Sequence, residues 1–127
     1  MPRVLVIDDV EEVRYSLAAT LIRERIDVVE AGNGMDALLL LEHERFDAII
    51  TDVWMPKLDG VELIRLLRAA DDDTVIVAIS GGAPNAPINF SMALAETWGA
   101  DATFVKPFDN EDMIAHIRRL WDEKAAG

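Results

Sequence analysis

Several side chains that carry acid, hydroxyl or amino groups stand at the ends of short apolar segments of this sequence. They are Asp8, Asp9, Asp52, Ser80 and Lys106. The apolar segments are rich in β-branched residues, which is typical of strands that are covered on both faces of a parallel sheet. Because sites in open α/β sheets form at the carboxyl ends of the strands, we expect these side chains to meet at one edge of a sheet.

The three carboxylates of Asp8, Asp9 and Asp52 would repel one another in a partly desolvated pocket. A hard divalent cation relieves that repulsion. Mg²⁺ suits such a site because it takes carboxylate and carbonyl oxygens and keeps waters that a phosphoryl group can replace. A carboxylate can also attack phosphorus to form an acyl phosphate, which makes Asp52 the candidate nucleophile. The Lys106 ammonium and the Ser80 hydroxyl could neutralise charge on the transferred group.

Five strand segments alternate with five helix segments along the chain. This alternation predicts an α/β fold with a doubly wound parallel sheet and right-handed crossovers. The predicted strands span 4–7, 27–31, 74–79 and 102–105, together with an apolar run over 48–50 that ends at Asp52. The predicted helices run from about 10 to 25, 35 to 44, 61 to 67, 88 to 98 and 113 to the end of the chain.

Length and composition narrow the class of protein. The 127 residues are about half apolar, so a single domain over residues 1–127 with a sizeable core is expected. The absence of cysteine excludes disulfides and thiolate metal sites. The net charge of −12 repels nucleic acid and anionic membranes. Because no signal peptide or membrane span is visible, we expect a cytoplasmic protein.

The order of the motifs resembles the receiver domain of response regulators. In that comparison the acid pair Asp8-Asp9 follows the first strand, and Asp52 follows the third. Ser80 follows the fourth strand, and Lys106-Pro107-Phe108 follows the fifth. The resemblance extends from Pro2 to about Lys124. It implies a flavodoxin-like fold of five parallel strands in the order 2-1-3-4-5.

The resemblance also implies a phosphorylation-dependent switch of a two-component system or phosphorelay, not an enzyme that acts on other substrates. Asp52 would accept a phosphoryl group from a histidine kinase or a histidine phosphotransfer protein, with Ser80 and Lys106 assisting. Mg²⁺ would bind Asp9, Asp52 and the Trp54 carbonyl, with Asp8 acting largely through a bound water. The resemblance further implies a cis Lys106–Pro107 peptide bond, and hydrolysis of the acyl phosphate would reset the switch.

The expected partners follow from the same resemblance. We expect a stand-alone receiver, a monomer or weak dimer, whose output passes through contacts with another protein. Direct binding to nucleic acid or membrane is not expected. An adaptor that keeps the fold but acts without phosphorylation is the main alternative.

Two features depart from the usual receiver pattern. Receivers usually carry Tyr or Phe three residues before the lysine, where this chain has Thr103. Phe104 cannot replace that aromatic, because a shift of one residue reverses the face of a strand. The segment from Ser80 to Lys106 is also longer than in most receivers. We therefore predict that the Gly- and Pro-rich residues 81–87 read out phosphorylation in place of an aromatic rotamer.

Two other classes of protein fit the motifs poorly. A haloacid-dehalogenase-type phosphatase uses an Asp-x-Asp pattern after its first strand, and Asp8-Asp9 lacks that spacing. A dinucleotide-binding enzyme would need a glycine-rich turn after Ile7. This chain places Asp8, Asp9, Glu11 and Glu12 there, and these acids repel phosphate.

Overall fold

Strands and helices alternate along the whole chain. The computed structural model describes residues 1–55, 58–70, 73–81 and 88–126, and only the backbone of residues 88–91. The strands are β1 (Arg3–Ile7), β2 (Asp27–Ala31), β3 (Ala48–Asp52), β4 (Val75–Ser80) and β5 (Ala102–Val105). The helices are α1 (Glu11–Arg23), α2 (Gly34–His43), α3 (Gly60–Ala69), α4 (Ile88–Trp98) and α5 (Asn110–Ala126).

The five strands form one parallel sheet in the order β2-β1-β3-β4-β5. This order confirms the doubly wound fold that the alternation and the resemblance predict. The register places Ile7 beside Thr51, Asp52 beside Ile79, and Ser80 beside Val105. The carboxyl ends of four adjacent strands are therefore level with one another, and the residues that follow them share one edge.

Apolar side chains fill the space on both faces of the sheet. On one face, residues such as Val6, Ile50 and Val77 pack against α1 and α5. On the other face, Leu5 and Ile49 belong to a cluster that includes residues of α2, α3 and α4. Burial on both faces explains why β3 and β4 read as continuous apolar runs. Among the helices described, none is long and apolar enough to cross a membrane.

Some element boundaries differ from the sequence prediction by one to three residues, the largest difference being the start of α5 at Asn110. Helix α1 ends at Arg23 instead of about Arg25, because Arg25 adopts a left-handed backbone with φ of 63°. Helix α2 begins at Gly34, since the Asn33 side chain accepts a hydrogen bond from the Asp36 N–H. Strand β4 extends to Ser80 because Ser80 still pairs with β5. These shifts leave the predicted site residues at the same sheet edge.

Candidate functional site

The end of β3 holds Asp52 in a closely packed position. Asp52 is only 6% exposed, and the N-terminus of α3 lies directly against its backbone. A Cβ atom on Gly60 would approach the Asp52 carbonyl oxygen to 2.0 Å, so only glycine permits this contact. The Gly60 N–H also donates to the Val53 carbonyl at 2.9 Å. The start of α3 thus supports the strand end that carries the candidate nucleophile.

The structure brings Asp8, Asp9 and Asp52 together. Each offers a carboxylate oxygen, and these oxygens lie within 4.8 Å of one another. Asp8 is fully buried, and its Oδ2 atom accepts no well-aligned hydrogen bond from the residues described. Asp9 is exposed. A set of three converging carboxylates, one of them fully buried, provides the hard oxygen donors that Mg²⁺ takes, and the exposed Asp9 leaves a side from which the ion can enter.

Lys106 neutralises two of these carboxylates. Its Nζ atom lies 2.8 Å from Asp52 Oδ2 and 3.0 Å from Asp8 Oδ2. Burial alone would lower the pKa of Lys106, but hydrogen bonds and charge from Asp52 and Asp8 outweigh it and raise that pKa. The amine therefore remains a cation. The Lys106–Pro107 peptide bond is cis, as the resemblance implies.

Opposing effects act on the Asp52 carboxylate. Burial raises the pKa of Asp52 above its ordinary value, the Lys106 hydrogen bond offsets part of that rise, and the charge of Asp8 adds to it. Asp52 Oδ1 also accepts a hydrogen bond from the Trp54 N–H at 3.2 Å. A positively charged neighbour and one backbone donor thus orient this carboxylate. The role of the Trp54 carbonyl as a metal ligand stays a prediction.

Ser80 lies at the end of β4, on the strand between β3 and β5. It is buried, and its carbonyl oxygen accepts the Lys106 N–H at 2.9 Å. Asp52 pairs with the residue before it, Ile79. The structure therefore places Ser80 beside the strand end that carries Asp52 and links its backbone to Lys106.

Arg14 is a residue of this region that the sequence analysis missed. Its Nη1 atom donates to the Asp8 carbonyl oxygen at 2.7 Å, and its Nε atom donates to Glu30 Oε1 at 3.2 Å. The signal in the sequence is weak, because an arginine in the second turn of a helix usually faces solvent. Only the adjacency of β1 and β2 brings its two acceptors together.

Thr103 and Phe104 occupy opposite faces of β5, as the alternation of strand side chains predicts. Phe104 packs against the cluster beneath α1 and α5. Its ring makes edge contacts with Phe108 and His116. The Thr103 hydroxyl instead donates to Glu96 of α4 at 3.3 Å. Phe104 therefore does not take the place of the aromatic that most receivers carry. The predicted readout segment lies outside the described residues except for Gly81.

Comparison with known proteins agrees with this geometry. Residues 4–118 match the model of the response regulator receiver domain. The chain belongs to this receiver family. Its fold is that of solved receiver domains, among them the receiver domain of the Francisella response regulator 1452. That structure aligns with a TM-score of 0.86 and 27% identity, over 98% of this chain and 99% of that one.

Two further relatives extend the comparison. The response regulator MprA of Mycobacterium sp. (strain KMS) is 37% identical over 118 residues, which are 93% of this chain and 50% of the relative. This receiver thus spans about half the length of the curated relatives it matches. A response regulator from Burkholderia pseudomallei, solved with a phosphorylated aspartic acid, calcium ion and citrate, is 31% identical. It aligns with a TM-score of 0.81, over 99% of this chain and 72% of that one.

Proposed function

We propose that this receiver accepts a phosphoryl group on Asp52 from a histidine kinase or a histidine phosphotransfer protein, and that the acyl phosphate switches its contacts with a partner. The observation that carries the proposal is the position of Lys106. Its ammonium contacts Asp52 at 2.8 Å inside a cluster of three carboxylates. A strand-end aspartate that contacts a lysine ammonium and lies beside an acid pair suited to a divalent cation is equipped for phosphoryl transfer.

In the proposed transfer, one carboxylate oxygen of Asp52 attacks the phosphorus atom of a phosphohistidine. The new oxygen–phosphorus bond forms as the nitrogen–phosphorus bond breaks, and the imidazole nitrogen takes the electron pair. Lys106 neutralises charge on the transferred oxygens, and the Ser80 hydroxyl donates a hydrogen bond to one of them. Attack by water on the aspartyl phosphate would later release inorganic phosphate and restore the Asp52 carboxylate.

A bound Mg²⁺ would supply further charge neutralisation. Asp9 and Asp52 are the proposed direct side-chain ligands, the Trp54 carbonyl is a third, and Asp8 acts largely through water. Support comes from the convergence of the three acids, whose carboxylate oxygens lie within 4.8 Å of one another, and from the full burial of Asp8. The Burkholderia pseudomallei relative, whose structure carries a phosphorylated aspartic acid and a calcium ion, adds to that support.

The output of the switch is proposed to pass through protein contacts. The net charge of −12 disfavours direct binding of these 127 residues to nucleic acid. The histidine-containing donor is proposed from the family alone. The chemistry at Asp52 can be tested separately from both partners.

Phosphorylation with a small donor tests the proposal. The wild-type protein, incubated with acetyl phosphate and Mg²⁺, should gain one phosphoryl group that peptide mass spectrometry locates on Asp52. Asp52→Asn should abolish the modification, whereas Asp122→Asn, which changes an exposed acid on α5, should leave it intact. Modification that persists undiminished in Asp52→Asn would refute the role of Asp52. A wild-type chain that takes neither phosphate nor beryllofluoride would favour the adaptor alternative.

A further inference from the structure

Arg14 connects α1 to the ends of two strands. Its guanidinium donates to the Asp8 carbonyl oxygen at 2.7 Å and to Glu30 of β2 at 3.2 Å. The side chain is 13% exposed, so water competes little for these hydrogen bonds. Arg14 is not one of the proposed cation ligands. It instead binds the backbone between Asp8 and Asp9, two of the acids in the cluster.

The contact restricts the peptide group between Asp8 and Asp9. The Asp8 N–H donates to the Ala31 carbonyl at 3.2 Å, and Asp8 Oδ1 accepts the Val10 N–H at 2.9 Å. Arg14 adds the third restraint, on the carbonyl oxygen itself. Since a peptide group is planar, the direction of this carbonyl sets the direction in which Asp9 leaves the strand. The Asp9 side chain is exposed, so its placement depends mainly on the direction of its backbone.

We propose that Arg14 is a positioning residue for the divalent-cation site, orienting Asp8 and Asp9 through the Asp8 carbonyl. The inference rests on the proposed function of that site. Some groups orient metal ligands without touching the metal, and their removal commonly lowers metal affinity by about 10- to 100-fold. Arg14 acts on the backbone of a ligand instead of its side chain, and we expect an effect at the lower end of this range.

The charge of Arg14 would have the opposite effect on a cation. A guanidinium near the site repels Mg²⁺, although Glu30 at 3.2 Å and Glu11 at 4.0 Å compensate its charge. Removing the charge while keeping a polar side chain, as in Arg14→Gln, should tighten Mg²⁺ binding if electrostatics alone mattered. The same change should weaken binding if the orientation of Asp8 and Asp9 matters more. The direction of the change therefore separates the two effects.

Mg²⁺ titration without any phosphoryl donor tests the inference. The dissociation constant is measured by NMR from the amide signals of Asp9 and Trp54 in the folded protein. We expect this dissociation constant to rise about tenfold in Arg14→Gln. The rise should be smaller in Arg14→Lys, whose ammonium can donate to the Asp8 carbonyl but lacks the second nitrogen that donates to Glu30. Arg23→Gln is the matched control, because Arg23 lies at the far end of the same helix and contacts Thr20 at 3.4 Å. It should bind Mg²⁺ like the wild type.

A second measurement separates positioning from a general loss of structure. With acetyl phosphate, the phosphorylation rate of Arg14→Gln should return to near the wild-type rate at saturating Mg²⁺, while the Mg²⁺ concentration for half-maximal rate rises. A rate that stays low at saturation, or Mg²⁺ binding as tight as in the wild type, would overturn the inference. If the wild type itself does not bind Mg²⁺, the proposed function fails and the inference fails with it. If the wild type binds and Arg14→Gln is unchanged, only the inference fails.

Discussion

Lys106 shows at the scale of one residue how the site balances its charges. Its ammonium contacts both Asp8 and Asp52, which are buried acids of the same sign. Removing the positive charge from a buried group of ions leaves the remaining negative charges uncompensated, which destabilises the fold. Lys106 therefore stabilises the fold as well as supporting the proposed chemistry. A bound divalent cation could supply part of the positive charge that stabilises the fold.

Replacement of Lys106 by Met separates these roles. In EDTA, Lys106→Met should lower the free energy of unfolding by about 1–3 kcal/mol, less than for a fully buried pair because the lysine side chain is 21% exposed. Mg²⁺ should restore more stability to this variant than it adds to the wild type. Urea denaturation with and without Mg²⁺ measures both effects.

A substitution of Asp8, the other acid that Lys106 contacts, provides a control for this experiment. Adding Asp8→Asn to Lys106→Met removes one of the two uncompensated charges, so the double variant should regain stability in EDTA. An equal loss in the single and double variants would show that Lys106 acts through packing of its methylene chain and not through charge.

At the scale of secondary structure, the junction between β3 and α3 determines where Asp52 lies. Gly60 lets the first turn of α3 contact the Asp52 backbone, and the Asp59 side chain caps the helix by accepting the Glu62 N–H at 2.8 Å. Sequence patterns place a turn between the two elements, but they do not show that the helix touches the strand end. The close contact makes the junction sensitive to one methyl group.

Gly60→Ala should disturb this junction. The new Cβ atom would lie 2.0 Å from the Asp52 carbonyl oxygen and 3.0 Å from Val53 Cα, so the backbone must move. We expect a loss of about 1–3 kcal/mol in the free energy of unfolding and slower phosphorylation, because Asp52 shifts relative to Lys106. Urea denaturation and acetyl phosphate kinetics measure the two effects.

Gly32→Ala is the matched control for Gly60→Ala. A Cβ atom at Gly32 would make only an ordinary contact, 3.7 Å from Arg14 Nη1. Its stability should stay within about 0.5 kcal/mol of the wild type. Equal stability of the two variants would mean that the contact between α3 and the Asp52 backbone is not closely packed in solution.

At the scale of the whole molecule, the proposed phosphorylation of Asp52 has to change a surface that a partner protein can bind. Thr103 is too small to fill and vacate a pocket as an aromatic ring would, and its hydroxyl bonds to Glu96 of α4. Ser80 precedes the Gly- and Pro-rich residues 81–87, whose glycines can absorb backbone changes. A contact of the Ser80 hydroxyl with the phosphoryl group would provide the difference in affinity that shifts the population of such a segment.

Amide hydrogen exchange with and without beryllofluoride tests this readout. The exchange of residues 81–87 should change on addition of beryllofluoride in the wild type. Ser80→Ala should keep phosphorylation but lose that change. Changes confined to β5, with residues 81–87 unaffected, would instead assign the readout to the strand that carries Thr103.

The sequence alone determined the alternation of strands and helices, because hydrophobic periodicity is a local property. The ranges 27–31, 88–98 and 102–105 are confirmed to the residue. The positions of Asp52 and Ser80 at strand ends also follow from local pattern. The strand order came from the resemblance to receivers, since periodicity does not specify which strands are neighbours.

Only the tertiary structure decided the contacts between residues far apart in the chain. Lys106 and Asp52 are 54 positions apart, and their 2.8 Å contact depends on the order and register of β3, β4 and β5. The contact of Gly60 with β3 and the bond from Arg14 to the Asp8 carbonyl likewise depend on how the helices pack. Such distances depend on the positions of many strands and helices at once. A local sequence pattern can therefore indicate which groups meet but not how closely they approach.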